Sequence, residues 1–370
     1  MSTAADAASQ NLISRQVQKA PPLPQRFCLA KYHGAENDFL FAAMDPAQYA
    51  QSKSDMPQFA RTICARNTGM GADGLVIWGG NEDNGFRVSI WNADGSFAST
   101  CGNALRCMGL LLVRRGLWNG EHPIHIRRFL EDGNETFATL VSCQPHPADT
   151  HNAIVTVVMG SLQSARPLPL AQLRELLCKC SEGQTTNATG AAKFFGSLAA
   201  AWFVELANPH VVLSFEHSNS LSSLKQLAEN FGEAIKRALL DSGLVEMEVN
   251  LGLLCPQDQA AEEPRQNLLV VHERGAGVTR ACGSGAVAAT YAVELGQTEA
   301  SQPQGKHEKH RAPFHRQFQM PGGNLSITLR QDPGSFQTVA YMEGPCTFLF
   351  EATLNDHHAG LRLPRSSSSW

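Results

Sequence analysis

The sequence predicts an α+β protein of two like domains, each a set of strands around one central helix. Short apolar stretches that alternate with Gly and Asn turns occur in two series, one from Phe27 to about Thr150 and one from Ala153 onwards. One run of apolar helix formers interrupts each series, after Cys101 in the first and after Cys282 in the second. A chain of 370 residues is also longer than one hydrophobic core usually supports.

Residues 1–26 are expected to form a disordered arm, because they are polar and contain the cluster PPLP. A transit peptide is the less favoured alternative, since arginine is scarce there. Residues 27–150 are expected to form the N-terminal domain, completed by a C-terminal strand near 344–356. Its own strands are predicted from FLFAAM, GLVIWGG, FRVSIW, IHIRRF and FATLVSC.

The second domain is expected over residues 151–343, followed by a flexible tail at 357–370. Between its strands, residues 220–240 predict an amphipathic helix whose apolar stripe is formed by Leu224, Leu227, Phe231, Ile235 and Leu239. Two polar stretches rich in turn formers, near 163–189 and 297–315, are expected to be surface insertions. The histidines of the second stretch lack acidic neighbours that would complete a metal site, so a solvated loop is expected.

Composition limits the functions that the chain can have. The net charge of −4 gives no electrostatic reason to expect a nucleic acid or a membrane as a partner. The first ten residues lack the pattern of a secretory signal, so a cytoplasmic protein is expected. The ten cysteines are expected to be mostly reduced, and none has the spacing of a zinc site.

One glycine motif resembles a nucleotide-binding sequence by pattern alone. Residues 69–74, GMGADG, satisfy the dinucleotide pattern of spaced glycines. A dinucleotide fingerprint follows a strand and begins a helix, whereas here a strand is expected after the glycines. The sequence therefore does not predict a nucleotide cofactor from this motif.

The two cysteines that precede the central helices carry the chemistry. Cys101 and Cys282 are each followed by glycine, a polar residue and a run of helix formers. A thiol at a helix N-terminus lies in a positive field that favours its thiolate. A small buried cysteine before a core helix is the plainer interpretation of either motif alone. Two such thiols in different halves of the chain indicate a site between the halves.

Several motifs, in this order, resemble those of the diaminopimelate epimerase family. They are KYHGAENDF, RNTGMGADGL, WNADGS with CGNALRC, ANPHVV, VNLGLL, ERGAGVTRACGSGAVAA and PGGNLSI. The resemblance implies two pseudo-symmetric domains, each a mixed β-barrel-like sheet wrapped around a central helix. It also implies interconversion of LL- and meso-diaminopimelate in lysine and peptidoglycan precursor biosynthesis, without pyridoxal phosphate or metal. A homodimer is expected by family analogy.

The resemblance also implies roles for particular residues. Inverting a stereocentre needs a base on one face of the carbon and an acid on the other, and Cys101 and Cys282 are the expected pair, either in either role. His210 and Glu273 are implied to set the protonation of the thiols. The helix entrances are expected to supply backbone donors for the reacting carboxylate, and asparagines with one arginine to bind the far end of the substrate. The expected binding residues are Gly102, Asn103, Gly283 and Ser284 at the entrances, and Asn37, Asn92, Asn208, Asn250, Glu273 and Arg274 around the substrate.

Three positions depart from the family's pattern, because Glu36, Ala104 and Ala207 stand where glycines are usual. If one of these residues needs a positive φ, its side chain costs about 1 kcal/mol or more. The departures leave two alternatives open. One is a racemase of another amino acid, independent of pyridoxal phosphate, on the same scaffold, and the other is a non-catalytic amino-acid-binding paralogue.

Overall fold

The computed structural model describes residues 26–81, 85–129, 134–181, 191, 194–216, 220–256, 266–301, 312–332 and 337–355. The expected N-terminal arm lies outside these ranges except for Arg26, which begins the first strand, and the expected tail at 357–370 lies outside them entirely. Strands dominate both halves of the described chain.

The strands of the first half are β1 (Arg26–Gly34), β2 (Asn37–Ala43), β3 (Gly74–Gly79), β4 (Phe86–Asn92), β5 (Phe97–Ala98), β6 (Ile124–Phe129), β7 (Glu135–His146) and β8 (Asp149–Ser161). Those that follow are β9 (Ser164–Pro167), β10 (Leu198–Glu205), β11 (Pro209–Phe215), β12 (Asn250–Cys255), β13 (Asn267–Glu273), β14 (Gly277–Val278), β15 (Phe314–Met320), β16 (Gly323–Gln331) and β17 (Thr338–Asn355). The helices are α1 (Pro46–Ser52), α2 (Met56–Cys64), α3 (Gly102–Arg114), α4 (Leu170–Ser181), α5 (Leu221–Asp241) and α6 (Gly283–Ser301).

Seven strands of the first half close into a barrel with β17, the last strand that the structure describes. Strand β1 pairs with β2, and the pairing continues through β3, β4, β6, β7 and β8 to β17, which pairs back with β1. The β2–β3 and β4–β6 pairs are parallel and the others antiparallel. A closed barrel leaves none of these strands as an edge.

The second half repeats the same sequence of pairings. From β10 the order runs through β11, β12, β13, β15 and β16 to β17, with β11–β12 and β13–β15 parallel. The long strands β8 and β17 pair with each other and serve both halves, while β9 continues the line of β8 and pairs with β10. The repeated topology matches the expected pseudo-symmetric fold. The residue limits of the two domains stay a prediction, since β8 and β17 pair in both groups.

Each group of strands encloses one helix. Helix α3 contacts β1, β2, β7, β8 and β17, and α6 contacts β10, β11, β12, β15 and β16. Every residue of α3 from Gly102 to Leu112 is buried. A helix that is buried all round is mostly apolar, which explains why both cysteine motifs are followed by largely apolar runs, in which Asn103, Arg106 and Thr290 are the buried polar exceptions among the described residues. The expected helix at 220–240 is confirmed as α5, which buries the predicted stripe outside the second group of strands.

Two local expectations change. The stretch near 163–189 was expected to be a surface insertion, but its described part contains β9, which pairs with β10, and α4, which packs against α5. Polar residues of α4 cover the exposed face of a helix whose Leu173 and Leu177 enter the core. Helices α1 and α2 were not foreseen, although Asp45 caps α1 in a capping box with Gln48. Most of the second expected insertion, residues 302–311, lies outside the described chain.

The glycine motif at 69–74 ends where β3 begins, so the strand follows the glycines as predicted. None of the helices in the described part of the chain is long and apolar enough to cross a membrane.

Candidate active site

Each cysteine of the repeated motif immediately precedes the first residue of a central helix. Cys101 has an extended backbone and caps α3, and its carbonyl oxygen accepts a hydrogen bond from the Leu105 N–H at 3.0 Å. The carbonyl oxygen of Cys282 accepts from the Ala286 N–H at 3.0 Å in the same way at the start of α6. The prediction of two thiols at two helix entrances is confirmed.

One side chain joins the two entrances directly. Asn103, buried in the first turn of α3, donates its amide Nδ2 to the carbonyl oxygen of Ala281 at 2.9 Å, one residue before Cys282. The same amide lies 3.0 Å from Asn37 Oδ1, at the start of β2. The two halves of the chain therefore meet at their thiol-bearing turns, and a binding residue predicted for the first half reaches the second.

Two methionines fill the space at both helix entrances, and the sequence did not indicate them. A Cβ atom on Gly102 would lie 2.5 Å from Met342 Cε and 2.7 Å from Met159 Sδ. A Cβ atom on Gly283 would lie 2.7 Å from Met342 Sδ. Met159 lies on β8 and Met342 on β17, the two strands that both halves share. Glycine after each cysteine lets both helix starts approach the same methionine.

The surroundings of Cys282 favour the protonated form of its thiol. Burial first, and then the negative charge of Glu273, raise the pKa of Cys282 well above its ordinary value, although the Ser284 hydroxyl opposes this. The Ser284 Oγ lies 3.5 Å from the Cys282 sulfur. Burial also raises the pKa of Glu273, whose Oε1 accepts a hydrogen bond from the Thr279 hydroxyl at 2.6 Å. The protonated thiol of Cys282 therefore lies beside the carboxyl group of Glu273.

Cys101 has a more favourable setting for the thiolate. Cys101 is partly exposed, but protein atoms surround it closely, and burial raises its pKa to about 11. The backbone N–H groups of Ala104 and Asn103 and the guanidinium of Arg106 act in the opposite direction and lower the pKa of Cys101, while Glu273 raises it. The positive groups thus act on Cys101, while the Glu273 carboxyl group acts on both thiols and ranks second only to burial at Cys282. This asymmetry is the one that a thiolate and thiol pair needs.

Asn37 is held by a network of charges that sequence reasoning missed. Its Nδ2 donates to Asp73 Oδ2 at 2.6 Å, and Asp73 also accepts from Arg66 Nη2 at 2.7 Å. Arg66 reaches Asp38 at 2.8 Å, and Lys31 Nζ lies 2.9 Å from the same carboxylate. Because Asp38 and Asp73 accept from each other's backbone N–H groups, the network ties β2 to the loop before β3. The motifs KYHGAENDF and RNTGMGADGL contain these residues, but their pairing is visible only in the fold.

The other predicted residues are placed less uniformly. Asn250 Oδ1 accepts from the backbone N–H of Arg274 at 2.8 Å, and His210 lies beside Asn250 because β11 and β12 are parallel neighbours. Both ring nitrogens of His210 are buried without a hydrogen-bond partner among the residues that the structure describes, and burial lowers its pKa to about 3. Asn208 is half-buried at the turn into β11.

Two predicted relationships are not visible as contacts. Asn92 is exposed and donates to Ser96 Oγ at 2.9 Å, and no contact joins it to either thiol within the described chain. The same holds for His210 and the two sulfurs among the described residues. The neutral imidazole makes His210 a poor store for a thiol proton, so its predicted role in thiol protonation has no electrostatic support here.

Of the three departures from the family's pattern, one is strained. Glu36 has a φ of 60° and its neighbour Ala35 a φ of 52°, both in the left-handed region. Ala104 is helical, and Ala207 is not among the residues with positive φ, so neither position requires glycine for its backbone. The Glu36 carboxylate lies 3.3 Å from Arg280 Nη1 of the other half, two residues before Cys282.

Solved structures with this fold belong to epimerases and related proteins. A phenazine biosynthesis protein of the PhzF family from Bacillus anthracis superposes with a TM-score of 0.55 at 10% identity, covering 90% of this chain and 99% of that one. A hydroxyproline epimerase from Agrobacterium vitis superposes with a TM-score of 0.50 at 10% identity, covering 90% and 92%. At these identities the likeness establishes the fold alone.

Sequence comparison identifies the family. The family profile described as diaminopimelate epimerase matches residues 29–128. The diaminopimelate epimerase of Synechococcus sp. (strain JA-3-3Ab) is 31% identical over 336 residues, which covers 90% of this chain and 99% of the relative. An O-ureido-serine racemase from Streptomyces lavendulae is 29% identical over 335 residues, covering 89% and 96%. The chain is an isomerase, and it belongs to the diaminopimelate epimerase family.

Proposed function

We propose that this enzyme interconverts LL- and meso-diaminopimelate by moving a proton at the α-carbon between Cys101 and Cys282, with no cofactor. The observation that supports the proposal is the hydrogen bond from Asn103 to the Ala281 carbonyl oxygen, which joins the helix that Cys101 caps to the turn before Cys282. Relatives named diaminopimelate epimerase support the substrate. The reaction belongs to lysine and peptidoglycan precursor biosynthesis, and we propose a cytoplasmic homodimer.

The electrostatic asymmetry assigns the resting roles of the thiols. Cys101, whose pKa is lowered by backbone N–H groups and Arg106 against the effect of burial, is assigned as the thiol that ionises to act as the base, and Cys282, hydrogen-bonded to Glu273, keeps its proton. The thiolate removes the α-hydrogen from one face of the substrate while the Cys282 thiol delivers a proton to the other. In the reverse direction the two sulfurs exchange roles. Each turnover therefore leaves the proton on the opposite sulfur.

The helix entrances supply the electrostatic stabilisation of the carbanion. The first backbone N–H groups of α3 and α6, from Gly102, Asn103, Gly283 and Ser284, lack intrahelical partners. Their positive ends favour the carboxylate whose charge grows as the α-proton leaves. Preorganised donors of this kind typically lower the barrier by about 3 kcal/mol each.

The far end of the substrate needs a second set of polar groups. Arg274 is exposed and has its backbone fixed by Asn250, so its guanidinium is available for bidentate binding of a carboxylate. We propose that it grips the distal carboxylate together with Asn37, Asn92 and Asn208. Glu273, adjacent in sequence, couples this end to the proton held by Cys282.

Solvent exchange tests the proposal. The enzyme is incubated in deuterated water with single stereoisomers of diaminopimelate, and deuterium entry at the α-carbon is followed together with isomer formation. Cys101→Ala and Cys282→Ala are each expected to abolish isomer formation, because each removes the acid or the base of one face. Substantial isomer formation by either variant would refute the two-thiol mechanism. Cys64→Ala removes a buried thiol of α2 and is the matched control.

A racemase of another amino acid is the second candidate, favoured by two observations. The Streptomyces lavendulae relative named O-ureido-serine racemase is nearly as similar as the diaminopimelate epimerases. Glu36 also places a carboxylate next to Asn37, where it repels a substrate carboxylate or attracts an ammonium group. Exchange that is faster with an unrelated amino acid than with diaminopimelate would select this candidate. Tight binding without any exchange would instead indicate a non-catalytic binding protein.

A further inference from the structure

One hydroxyl group holds the carboxylate of Glu273, the partly buried last residue of β13. Thr279 Oγ1 donates a hydrogen bond to Glu273 Oε1 at 2.6 Å. The distance is typical of a hydroxyl that donates to an ionised carboxylate, and such bonds are about twice as strong as those between neutral groups. Thr279 precedes Cys282 by three residues, so the contact links Glu273 to the turn that carries a proton-transfer thiol.

The hairpin of β13 and β14 explains why Thr279 is the partner. Glu273 pairs with Gly277, and residues that lie opposite each other in an antiparallel pair point to the same face of the sheet. Gly277 has no side chain there, and the next residue of its strand on that face is Thr279. The Thr279 N–H donates to the Val271 carbonyl oxygen at 3.3 Å, which continues the ladder beyond β14. The hydroxyl is therefore fixed on the side of the carboxylate.

The main chain around Glu273 is also fixed. Lys236 of α5 donates from Nζ to the Glu273 carbonyl oxygen at 3.4 Å. On the other side, Asn250 Oδ1 of β12 accepts from the backbone N–H of Arg274 at 2.8 Å. Because α5 and β12 hold the main chain, the rotamer of Glu273 decides where its carboxylate lies. The hydrogen bond from Thr279 selects one of these rotamers.

We propose that Thr279 is a positioning residue for the proton transfer, because its hydroxyl turns the Glu273 carboxylate toward Cys282. The hydroxyl occupies Oε1 and leaves Oε2 to accept from the Cys282 thiol. The inference rests on the proposed two-thiol mechanism, since Thr279 acts only through Glu273. It adds to that mechanism the group that keeps the carboxylate in its working orientation.

The charges near Glu273 make the hydroxyl important for its ionisation. Burial raises the pKa of Glu273, and the hydrogen bonds from Thr279 and then from Cys282 lower it. The Asp73 carboxylate raises the same pKa. In turn, the charge of Glu273 raises the pKa of both Cys282 and Cys101. Without the hydroxyl, the Glu273 carboxyl group takes up a proton at a higher pH and no longer favours the protonated form of Cys282.

Steady-state kinetics with the diaminopimelate stereoisomers test the proposal on three variants of the full chain. Thr279→Val keeps the shape of the side chain and removes the hydroxyl, and Thr279→Ser keeps the hydroxyl. Thr139→Val is the matched control, because it removes a hydroxyl on β7 that lies 3.1 Å from His125 Nδ1. Thr279→Val is expected to lower kcat about tenfold or more and to change KM less than about twofold, since the acid is misplaced and the substrate contacts remain. Thr279→Ser is expected to restore kcat to within about twofold of the unaltered enzyme, and the control to leave it unchanged.

The pH dependence of kcat separates positioning from a merely structural role. Loss of a hydrogen bond to the ionised carboxylate is expected to move the acid limb of the kcat profile of Thr279→Val upward by about one pH unit or more. The acid limb is expected to stay in place in Thr279→Ser and in Thr139→Val. If Thr279→Val does not fold, as judged by circular dichroism, Thr279→Ala removes the same hydroxyl and takes its place.

The outcomes distinguish this inference from the proposed function. If Cys101→Ala and Cys282→Ala are inactive but folded Thr279→Val keeps its kcat and its acid limb, the role of Thr279 is refuted and the two-thiol mechanism stands. A loss of kcat that Thr279→Ser does not restore also refutes it, because the hydroxyl is then not the group that acts. Substantial isomer formation by either cysteine variant refutes the mechanism and the inference together.

Discussion

Replacing Asn103 with alanine tests how the two halves are joined at the site. Asn103 is 3% exposed, and its amide serves both Asn37 Oδ1 and the buried carbonyl oxygen of Ala281. The variant leaves these two acceptors without their donor. A stranded buried group costs about 1–3 kcal/mol, and Asn37 is only partly buried, so the two together cost about 3 kcal/mol.

One opposing effect reduces this cost. Within the described chain Asn103 Oδ1 is itself buried without a partner, so its removal returns about 1 kcal/mol. The variant is therefore expected to lower the free energy of unfolding by about 2 kcal/mol. It is also expected to slow deuterium entry into diaminopimelate about tenfold or more, because the entrance that carries Cys282 loses its tether to α3 and small misplacements of reacting groups are costly.

The assay pairs urea unfolding with solvent exchange, and compares variants only where the unfolding slopes agree. Asn119→Ala, which removes an exposed amide far from the thiols, is the control and is expected to change stability by less than about 0.5 kcal/mol. The double variant with Asn37→Ala is expected to show a coupling of about 1 kcal/mol. An Asn103→Ala protein with unchanged stability and unchanged exchange would refute the tether.

Two further predictions follow from strain and from burial. Glu36→Gly removes the strain of a left-handed backbone, about 1 kcal/mol, and loses one exposed ion pair with Arg280. Glu36→Gln keeps the strain and loses the same ion pair. The glycine variant is therefore expected to be more stable than the glutamine variant by about 1 kcal/mol in thermal or urea unfolding. Equal stability would contradict the assigned strain. Burial lowers the pKa of His210 to about 3, whereas histidine in an unfolded chain has a pKa of about 6.5. Between these two pH values the unfolded chain binds a proton that the folded chain does not, so the free energy of unfolding falls as the pH drops through this window. His210→Asn is expected to flatten that fall by one proton's worth in urea titrations at several pH values, and an unchanged slope would count against a neutral buried imidazole.

Local sequence signals predicted the elements that depend on neighbouring residues. IHIRRF is β6 to the residue, and the glycine after each cysteine marked the start of a buried helix. These predictions succeed because strand period and helix initiation are read within a few residues. The signal for α1, Asp45 followed by Pro46, was present in the same way but lay between two stronger strand patterns.

Contacts between distant residues could not be predicted in the same way. Nothing in KYHGAENDF indicates that Asn37 is held by Asp73, because this contact arises from how β2 pairs with β3. The motif resemblance named Asn37, Asn103 and Glu273 as site residues but not what each of them contacts. The asymmetry between the two thiols likewise depends on where the fold places Arg106 and Glu273.

The shared strand β17 sets the order in which the enzyme can be completed during synthesis. The first barrel closes only when residues 347–355 pair with β1, although the rest of that barrel ends near Ser161. At a translation rate of about 5–20 residues per second, the nascent first half waits on the order of ten seconds or more for its last strand. During that wait Cys101 lies in an unclosed barrel. The surroundings of both proton-transfer sulfurs are therefore completed at almost the same time, near the end of synthesis.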